Sequence, residues 1–67
     1  MNKYLIMPQS GYWFEVEATS HLIAYMKNSC WFSPKQKVAV MDKSTNITRI
    51  YQRQLDENGN LIRITKD

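Results

Sequence analysis

The chain has 67 residues, one cysteine, one histidine and a formal net charge of +3 from nine Lys or Arg and six Asp or Glu. A chain of this length forms one small domain, residues 1–67, with little apolar core to spare. The lone Cys30 excludes an internal disulfide, and the single histidine and cysteine are too few for a structural zinc site. No apolar run reaches membrane-spanning length. We therefore expect a cytoplasmic protein with no cofactor and no membrane contact.

The first 18 residues predict a β-hairpin. Two apolar segments, Lys3 to Met7 and Tyr12 to Ala18, alternate with the two-residue period of a strand. Between them, Pro8 to Gly11 has turn composition, because proline fixes φ and glycine accepts positive φ. In the second strand the alternation places Trp13, Glu15 and Glu17 on one face. The opposite, inward face would carry Tyr12, Phe14, Val16 and Ala18.

A helix of about three turns is predicted from His21 to Cys30. Thr19-Ser20 offers a hydroxyl to cap its first turn, and Ser33-Pro34 would prevent its continuation. We expect Trp31 and Phe32 to anchor the helix exit to the sheet. The apolar stripe expected to pack on the sheet consists of Leu22, Tyr25, Met26 and Ser29, broadened by Ile23 and Cys30.

Strand signals recur in the second half of the chain. Gln36 to Asp42 is predicted to be a third strand, with Val38 and Val40 pointing inward. The segment from Ile47 to Leu55 fits a fourth strand, although its apolar residues also match helical spacing. The strand is favoured because the last segment, Leu61 to Thr65, needs a partner across its turn.

The Asn58-Gly59 pair predicts a hairpin with a two-residue type I′ turn between the fourth and fifth strands. In the register that this turn imposes, Gln54 faces Arg63, Arg53 faces Ile64 and Leu55 faces Ile62. One face is then mainly apolar and the other polar, as a half-buried pair of strands requires.

These elements predict a two-layer α+β sandwich in the order ββαβββ, with an antiparallel sheet and one helix packed on one face. The other face of the sheet would be left to water or to a partner. A chain this small is compatible with a homodimer as well as with a monomer.

The residues that could support catalysis do not form a convincing set. Glu15 and Glu17 would lie roughly 6.5 to 7 Å apart on one strand face, but a solvated face or a ladder of ion pairs is the favoured explanation for them. His21 and Cys30, as base and nucleophile, would lie about 13 Å apart along the helix. Cys30 is better explained as a small buried apolar residue. We therefore expect a non-enzymatic protein.

The positive charge is concentrated in residues 35–67, which hold seven Lys or Arg and four Asp or Glu and so carry the whole +3. Lysine and arginine on the outward face of the last three strands would contact phosphates, and glutamines could reach base edges. This predicts a nucleic-acid-binding module, with the solvated side of a sheet as the alternative explanation. The residues proposed for it are Lys37, Lys43, Gln52, Gln54 and Arg63.

Protein binding is the second functional hypothesis. The chain is rich in large aromatic residues, and Trp and Tyr dominate the energetics of protein interfaces. Trp13 and Trp31 are the candidate contact residues, either for another protein or for a second copy of this chain. The alternative is that most of the aromatic side chains fill a core that 67 residues can barely assemble.

Overall fold

The computed structural model describes residues 1–66. Within them, five strands form one antiparallel sheet, and one α-helix packs on one of its faces. The elements are β1 (Asn2–Pro8), β2 (Phe14–Ala18), α1 (His21–Asn28), β3 (Val38–Asp42), β4 (Thr48–Leu55) and β5 (Leu61–Lys66). A 3-10 turn, Ser29–Trp31, follows α1. The predicted two-layer α+β arrangement is confirmed, and so is a strand in the segment from Ile47 to Leu55.

The strands lie in the order β2-β1-β3-β4-β5, so the first strand of the chain occupies an interior position. Ile6 of β1 pairs with Phe14 of β2 on one side and with Val40 of β3 on the other. Val38 and Val40 are fully buried, as predicted. Because directly paired residues share a face, the inward face carries the core across β2, β1, β3 and β4.

The core lies between α1 and the inward face of the sheet. Its side chains come from every strand except β5, from the helix and from the segment that follows it, and Ile64 of β5 packs against them. The buried set is Tyr4, Ile6, Ala18, Ala24, Tyr25, Phe32, Val38, Val40 and Tyr51.

The buried face of α1 differs from the predicted one. Ala24 and Tyr25 are buried, whereas Leu22, Met26 and Cys30 are exposed. The inward stripe instead runs through positions 21, 24, 25 and 28, and the two polar residues at its ends are accommodated by hydrogen bonds. One ring nitrogen of His21 lies 2.8 Å from the carbonyl oxygen of Ile47, and the Asn28 amide donates to the Ala24 carbonyl over 2.9 Å.

The ends of α1 are set by local hydrogen bonds. The Ser20 hydroxyl accepts from the Ile23 N–H over 3.2 Å, so Ser20 is the N-cap within the predicted Thr19-Ser20 pair. At the other end the helix stops at Asn28, two residues before its predicted last residue, and continues into the 3-10 turn that begins at Ser29. The shorter helix takes Cys30 out of the apolar stripe and leaves it exposed, which corrects its predicted burial.

The hairpin between β4 and β5 has the predicted pairs Gln54–Arg63 and Arg53–Ile64 but not the predicted turn. The loop holds three residues between Asp56 and Asn60. The Asp56 N–H donates to the Asn60 carbonyl oxygen over 2.9 Å, and Gly59 is the only loop residue with positive φ. The Asp56 carboxylate accepts the N–H groups of Asn58 and Asn60, which favours this turn over the type I′ form.

A one-residue shift between Gln54 and Leu55 reconciles the longer loop with the predicted register. Leu55 therefore pairs with Leu61 instead of Ile62, and Ile62 is exposed instead of facing the core. Such a shift is a β-bulge, which adds one residue to one strand.

Candidate binding surfaces

Four aromatic rings form a row through the core that reaches the surface at one end of the molecule. Phe14 stacks on Phe32 with ring centroids 6.3 Å apart, and Phe32 stacks on Tyr25 at 6.4 Å. Tyr25 in turn stacks on Tyr51 at 5.2 Å. The row links β2, the segment after the 3-10 turn, α1 and β4. Rings at these separations attract one another beyond the area that they bury.

At the Phe14–Phe32 end, the row forms the floor of an open cleft of about 500 Å³, here called the aromatic cleft. Its lining comes from the turn after β1, the start of β2, the end of α1 and the 3-10 turn. None of the lining residues is charged. They are Pro8, Ser10, Gly11, Tyr12, Phe14, Asn28, Trp31 and Phe32.

Two large aromatic side chains line the cleft while exposed to solvent. Tyr12 is 93% exposed and Trp31 is 77% exposed. Trp31 was expected to anchor the helix exit, but only the buried Phe32 does so. Tyr12 was expected to face inward in β2, but that strand begins two residues later, at Phe14. Both rings therefore lie outside the strands, Tyr12 on the segment before β2 and Trp31 on the 3-10 turn.

Trp13, the other predicted contact residue, is 64% exposed but is not part of the cleft lining. It precedes β2 and so is not held in the strand face with Glu15 and Glu17. The structure thus separates the two tryptophans, placing Trp31 in the cleft and Trp13 outside it.

The predicted nucleic-acid-binding residues do not form one continuous patch. The Lys43 ammonium donates to the Glu15 carboxylate over 2.5 Å, and Lys3 lies 3.7 Å from the same carboxylate. The hydrogen bond from Lys43 holds the pKa of Glu15 below its ordinary value. Lys43 is therefore tied to the edge of the sheet at β2, while Arg63 lies on β5 at the opposite edge.

Gln52, Gln54 and Arg63 do lie together, on the outward face of β4 and β5. Arg63 pairs with Gln54 across the strands, and its Nε donates to the Gln54 amide oxygen over 2.5 Å. Gln52 donates from its amide to the carbonyl of Lys35 over 2.9 Å. Lys37 is exposed in the segment before β3, where its N–H donates to the side chain of Gln9.

The middle of the outward face is apolar. Leu5 pairs with Met41, and Ala39 pairs with both Met7 and Ile50. Ile50 is exposed and the other four side chains are half-buried. This apolar strip separates the Lys43–Glu15 pair from the polar group on β4 and β5.

The remaining candidate residues, for metal binding and for acid–base chemistry, are not brought together in one site within residues 1–66. No group of three or more His, Cys, Asp or Glu is arranged there to hold a metal ion. Glu15 is engaged with lysines, and the His21 ring contacts a backbone carbonyl and the ring of Tyr4. In the same part of the chain, no helix has both the length and the apolar character needed to span a bilayer.

Comparison with protein-family models, curated proteins and solved structures found no match to this chain. The candidate surfaces therefore rest on the geometry alone. The sequence pattern indicated Trp31 as a candidate contact residue, but it placed Tyr12 and Phe14 on the inward face of the second strand and Phe32 at the helix exit. The sequence feature that could have indicated a cleft was the presence of aromatic residues directly after the predicted turn Pro8 to Gly11 and directly after the helix.

Proposed function

We propose that the protein is a non-enzymatic binding module that recognises another protein through the aromatic cleft. The observation that carries this proposal is the exposure of Tyr12 and Trp31 in a cleft that is also lined by the stacked Phe14 and Phe32 rings. Large aromatic residues that line a surface cleft are the residues that anchor protein interfaces.

The rigidity of the floor supports a binding role. Phe32 is buried, stacks on both Phe14 and Tyr25, and its carbonyl accepts a hydrogen bond from Arg53 over 2.6 Å. A cleft whose floor is held in place by the core loses little conformational entropy when a ligand binds. The neutral lining favours an uncharged part of the partner and offers no cation to a phosphate.

The two tryptophans provide a matched test. We would immobilise the wild-type protein, Trp31→Ala and Trp13→Ala separately. Mass spectrometry would then compare the proteins that each retains from an extract of the cells in which this protein is naturally made. Trp31→Ala removes a cleft ring, so partners held by the cleft should be lost, whereas Trp13→Ala should retain them. Equal retention by Trp31→Ala and the wild type would exclude the cleft as the contact surface. Thermal unfolding verifies that each variant is folded.

Nucleic-acid binding is the second candidate, and the outward face of β4 and β5 favours it. The residues that face outward there include no carboxylate; they are Thr48, Ile50, Gln52, Gln54, Arg63 and Thr65. Arginine and glutamine side chains suit phosphate and base contacts, respectively.

Fluorescence anisotropy with labelled DNA and RNA over a series of salt concentrations tests this second candidate. Neutralising Arg63 as Arg63→Gln should weaken binding and reduce the slope of log affinity against log salt by about 1. Lys43→Gln is the control, because Lys43 is already paired with Glu15 beyond the apolar strip. Binding that does not respond to salt or to Arg63→Gln would eliminate this candidate.

A further inference from the structure

We propose that the aromatic cleft binds a proline-containing segment of its partner in the extended polyproline II conformation. This inference rests on the proposed protein-binding function and names the kind of segment bound. It is drawn from three properties of the cleft, which are its neutral aromatic lining, its two solvent-facing hydrogen-bond donors and the turns that build it.

The lining matches the chemistry of proline. Four of its eight residues are aromatic, one is Pro8, and none is charged. Proline presents a flat, apolar ring with no N–H to desolvate, and proline-rich segments dock in aromatic-lined grooves. A charged or strongly polar segment would lose its hydration in this cleft without gaining an ion pair.

The donors in the lining distinguish between possible conformations of the bound segment. Within residues 1–66, neither the Tyr12 hydroxyl nor the Trp31 indole N–H donates to another residue, and both side chains are largely exposed. They can therefore donate to backbone carbonyls of a bound segment. In a helix those carbonyls are already occupied by i to i+4 hydrogen bonds, whereas polyproline II has no internal hydrogen bonds.

The construction of the cleft disfavours a bound β-strand. A strand would pair with the free edge of β2, but only the first residue of β2, Phe14, belongs to the lining, and the two exposed rings lie on the segment before β2 and on the 3-10 turn. The strand residues in the lining, Pro8 and Phe14, are the last residue of β1 and the first of β2. A polyproline II segment needs no edge, since its backbone groups bond to side chains or water.

The helical repeat of polyproline II determines which residues of the bound segment can contact the cleft. Polyproline II has three residues per turn and rises about 9 Å in one turn, so residues three apart present the same face. The segment would place one proline on the floor formed by Phe14 and Phe32. Its flanking carbonyls would then reach Tyr12 and Trp31 on the exposed lining.

The test uses the full chain and a fluorescein-labelled peptide of ten prolines, with a Gly-Ser peptide of equal length as control. Fluorescence anisotropy should show saturable binding of the proline peptide that is at least about tenfold tighter than that of the flexible control, and indole emission should change with the same midpoint. Trp31→Ala should weaken binding about tenfold or more. Trp13→Ala should change it less than about twofold, since Trp13 lies outside the lining.

Trp31→Phe tests the hydrogen bond, because it keeps a six-membered aromatic ring but removes the indole N–H together with the smaller ring that carries it. We expect an affinity between those of the wild type and Trp31→Ala. An affinity equal to that of the wild type would overturn the role of the donor. The exposed position of Trp31 means that these variants should melt close to the wild-type temperature, which circular dichroism verifies.

A third probe separates failure of this inference from failure of the proposed function. It is an amphipathic, leucine-rich helical peptide of similar length. If this peptide binds in a Trp31-dependent manner and the proline peptide does not, the polyproline II inference is wrong while protein binding by the cleft stands. If neither peptide binds and Trp31→Ala retains the same cellular proteins as the wild type, both proposals fail.

Discussion

Arg53 Nη2 donates a hydrogen bond of 2.6 Å to the carbonyl oxygen of Phe32, a residue 21 positions earlier in the chain. The bond connects β4 to the residue that follows the 3-10 turn and so fixes the floor of the aromatic cleft to the sheet. Arg53 lies on the inward face of β4 opposite Ile64, and its Nε is buried with no partner among residues 1–66. The half-buried guanidinium therefore links the cleft to the sheet.

Replacing Arg53 with glutamine should destabilise the protein. A partly buried carbonyl that loses its donor costs about 1 to 3 kcal/mol in the free energy of unfolding. The matched control is Arg63→Gln, because Arg63 is exposed and its loss should change stability by less than about 0.5 kcal/mol. Urea unfolding measures both. Equal stability of the two variants would show that the Arg53–Phe32 bond does not support the fold.

Alanine substitutions of two isoleucines should differ greatly in their effect on the free energy of unfolding. Ile6 is fully buried between β2 and β3, whereas Ile62 is 59% exposed at the bulge of β5. Ile6→Ala should cost about 2 to 5 kcal/mol because it leaves a cavity, and Ile62→Ala should cost less than about 1 kcal/mol. Urea unfolding provides the comparison. A large loss in Ile62→Ala would mean that Ile62 is covered in solution, for example by a second copy of the chain.

The loop between β4 and β5 depends on the positive φ of Gly59, which is 84°. A Cβ added at this position would meet no other atom within 4 Å, so the cost of Gly59→Ala comes from the backbone alone and should be about 1 to 2 kcal/mol. Gly59→Asn should cost less, since asparagine tolerates this conformation. Thermal melts of the two variants give the order. A more stable Gly59→Ala would contradict the positive φ.

Asp42 should make stability depend on acid pH. Hydrogen bonds from the Ser44 hydroxyl and N–H, with a longer one from the Asn2 amide, hold the pKa of Asp42 below its ordinary value of 3.8. The ionised form is thus favoured in the folded state. Its stabilisation is present above pH 3.8 and is lost as the pH falls through the lowered pKa.

Asp42→Asn should therefore reduce the loss of stability in acid, measured as the midpoint of urea unfolding from pH 7 to pH 2. Glu15→Gln is the comparison, because the pKa of Glu15 is also lowered, by Lys43. We expect each variant to remove part of the acid sensitivity and the double variant to remove more. An unchanged pH profile in Asp42→Asn would show that this carboxylate is not linked to folding.

The sequence predicted the elements well because each is encoded by local periodicity and turn chemistry. The predicted inward face of the helix was shifted by one position. His21 and Asn28 face inward because hydrogen bonds satisfy their polar groups, and residue polarity alone does not predict this. The predicted β4–β5 pairs were right as far as Gln54–Arg63, although the turn and the pairing of Leu55 were wrong, because the Asp56 carboxylate favours a longer loop and the bulge at Ile62 absorbs the extra residue.

The candidate site was less predictable because it depends on contacts between distant segments. Trp31 could be named from its residue type. That it lines the same cleft as Tyr12 could not, because this requires the segment after β1 and the 3-10 turn to lie side by side. The separation of Lys43 from Arg63 follows from the strand order, which places β1, β3 and β4 between the edge strands β2 and β5. Strand order is a long-range property that alternation along a single strand does not encode.

The interior position of β1 has a consequence for how the chain is made. β1 can pair with β2 as soon as that hairpin has left the ribosome, but its other edge pairs with β3, from Tyr4–Asp42 to Pro8–Val38. Until β3 has also left the ribosome, that edge presents unpaired backbone groups, and Ile6 and Leu5, on opposite faces of the strand, lack their β3 neighbours. Open strand edges of this kind are templates for pairing with other chains. A nascent chain or a fragment that stops before β3 should therefore aggregate, whereas the completed protein protects the same strand on both sides.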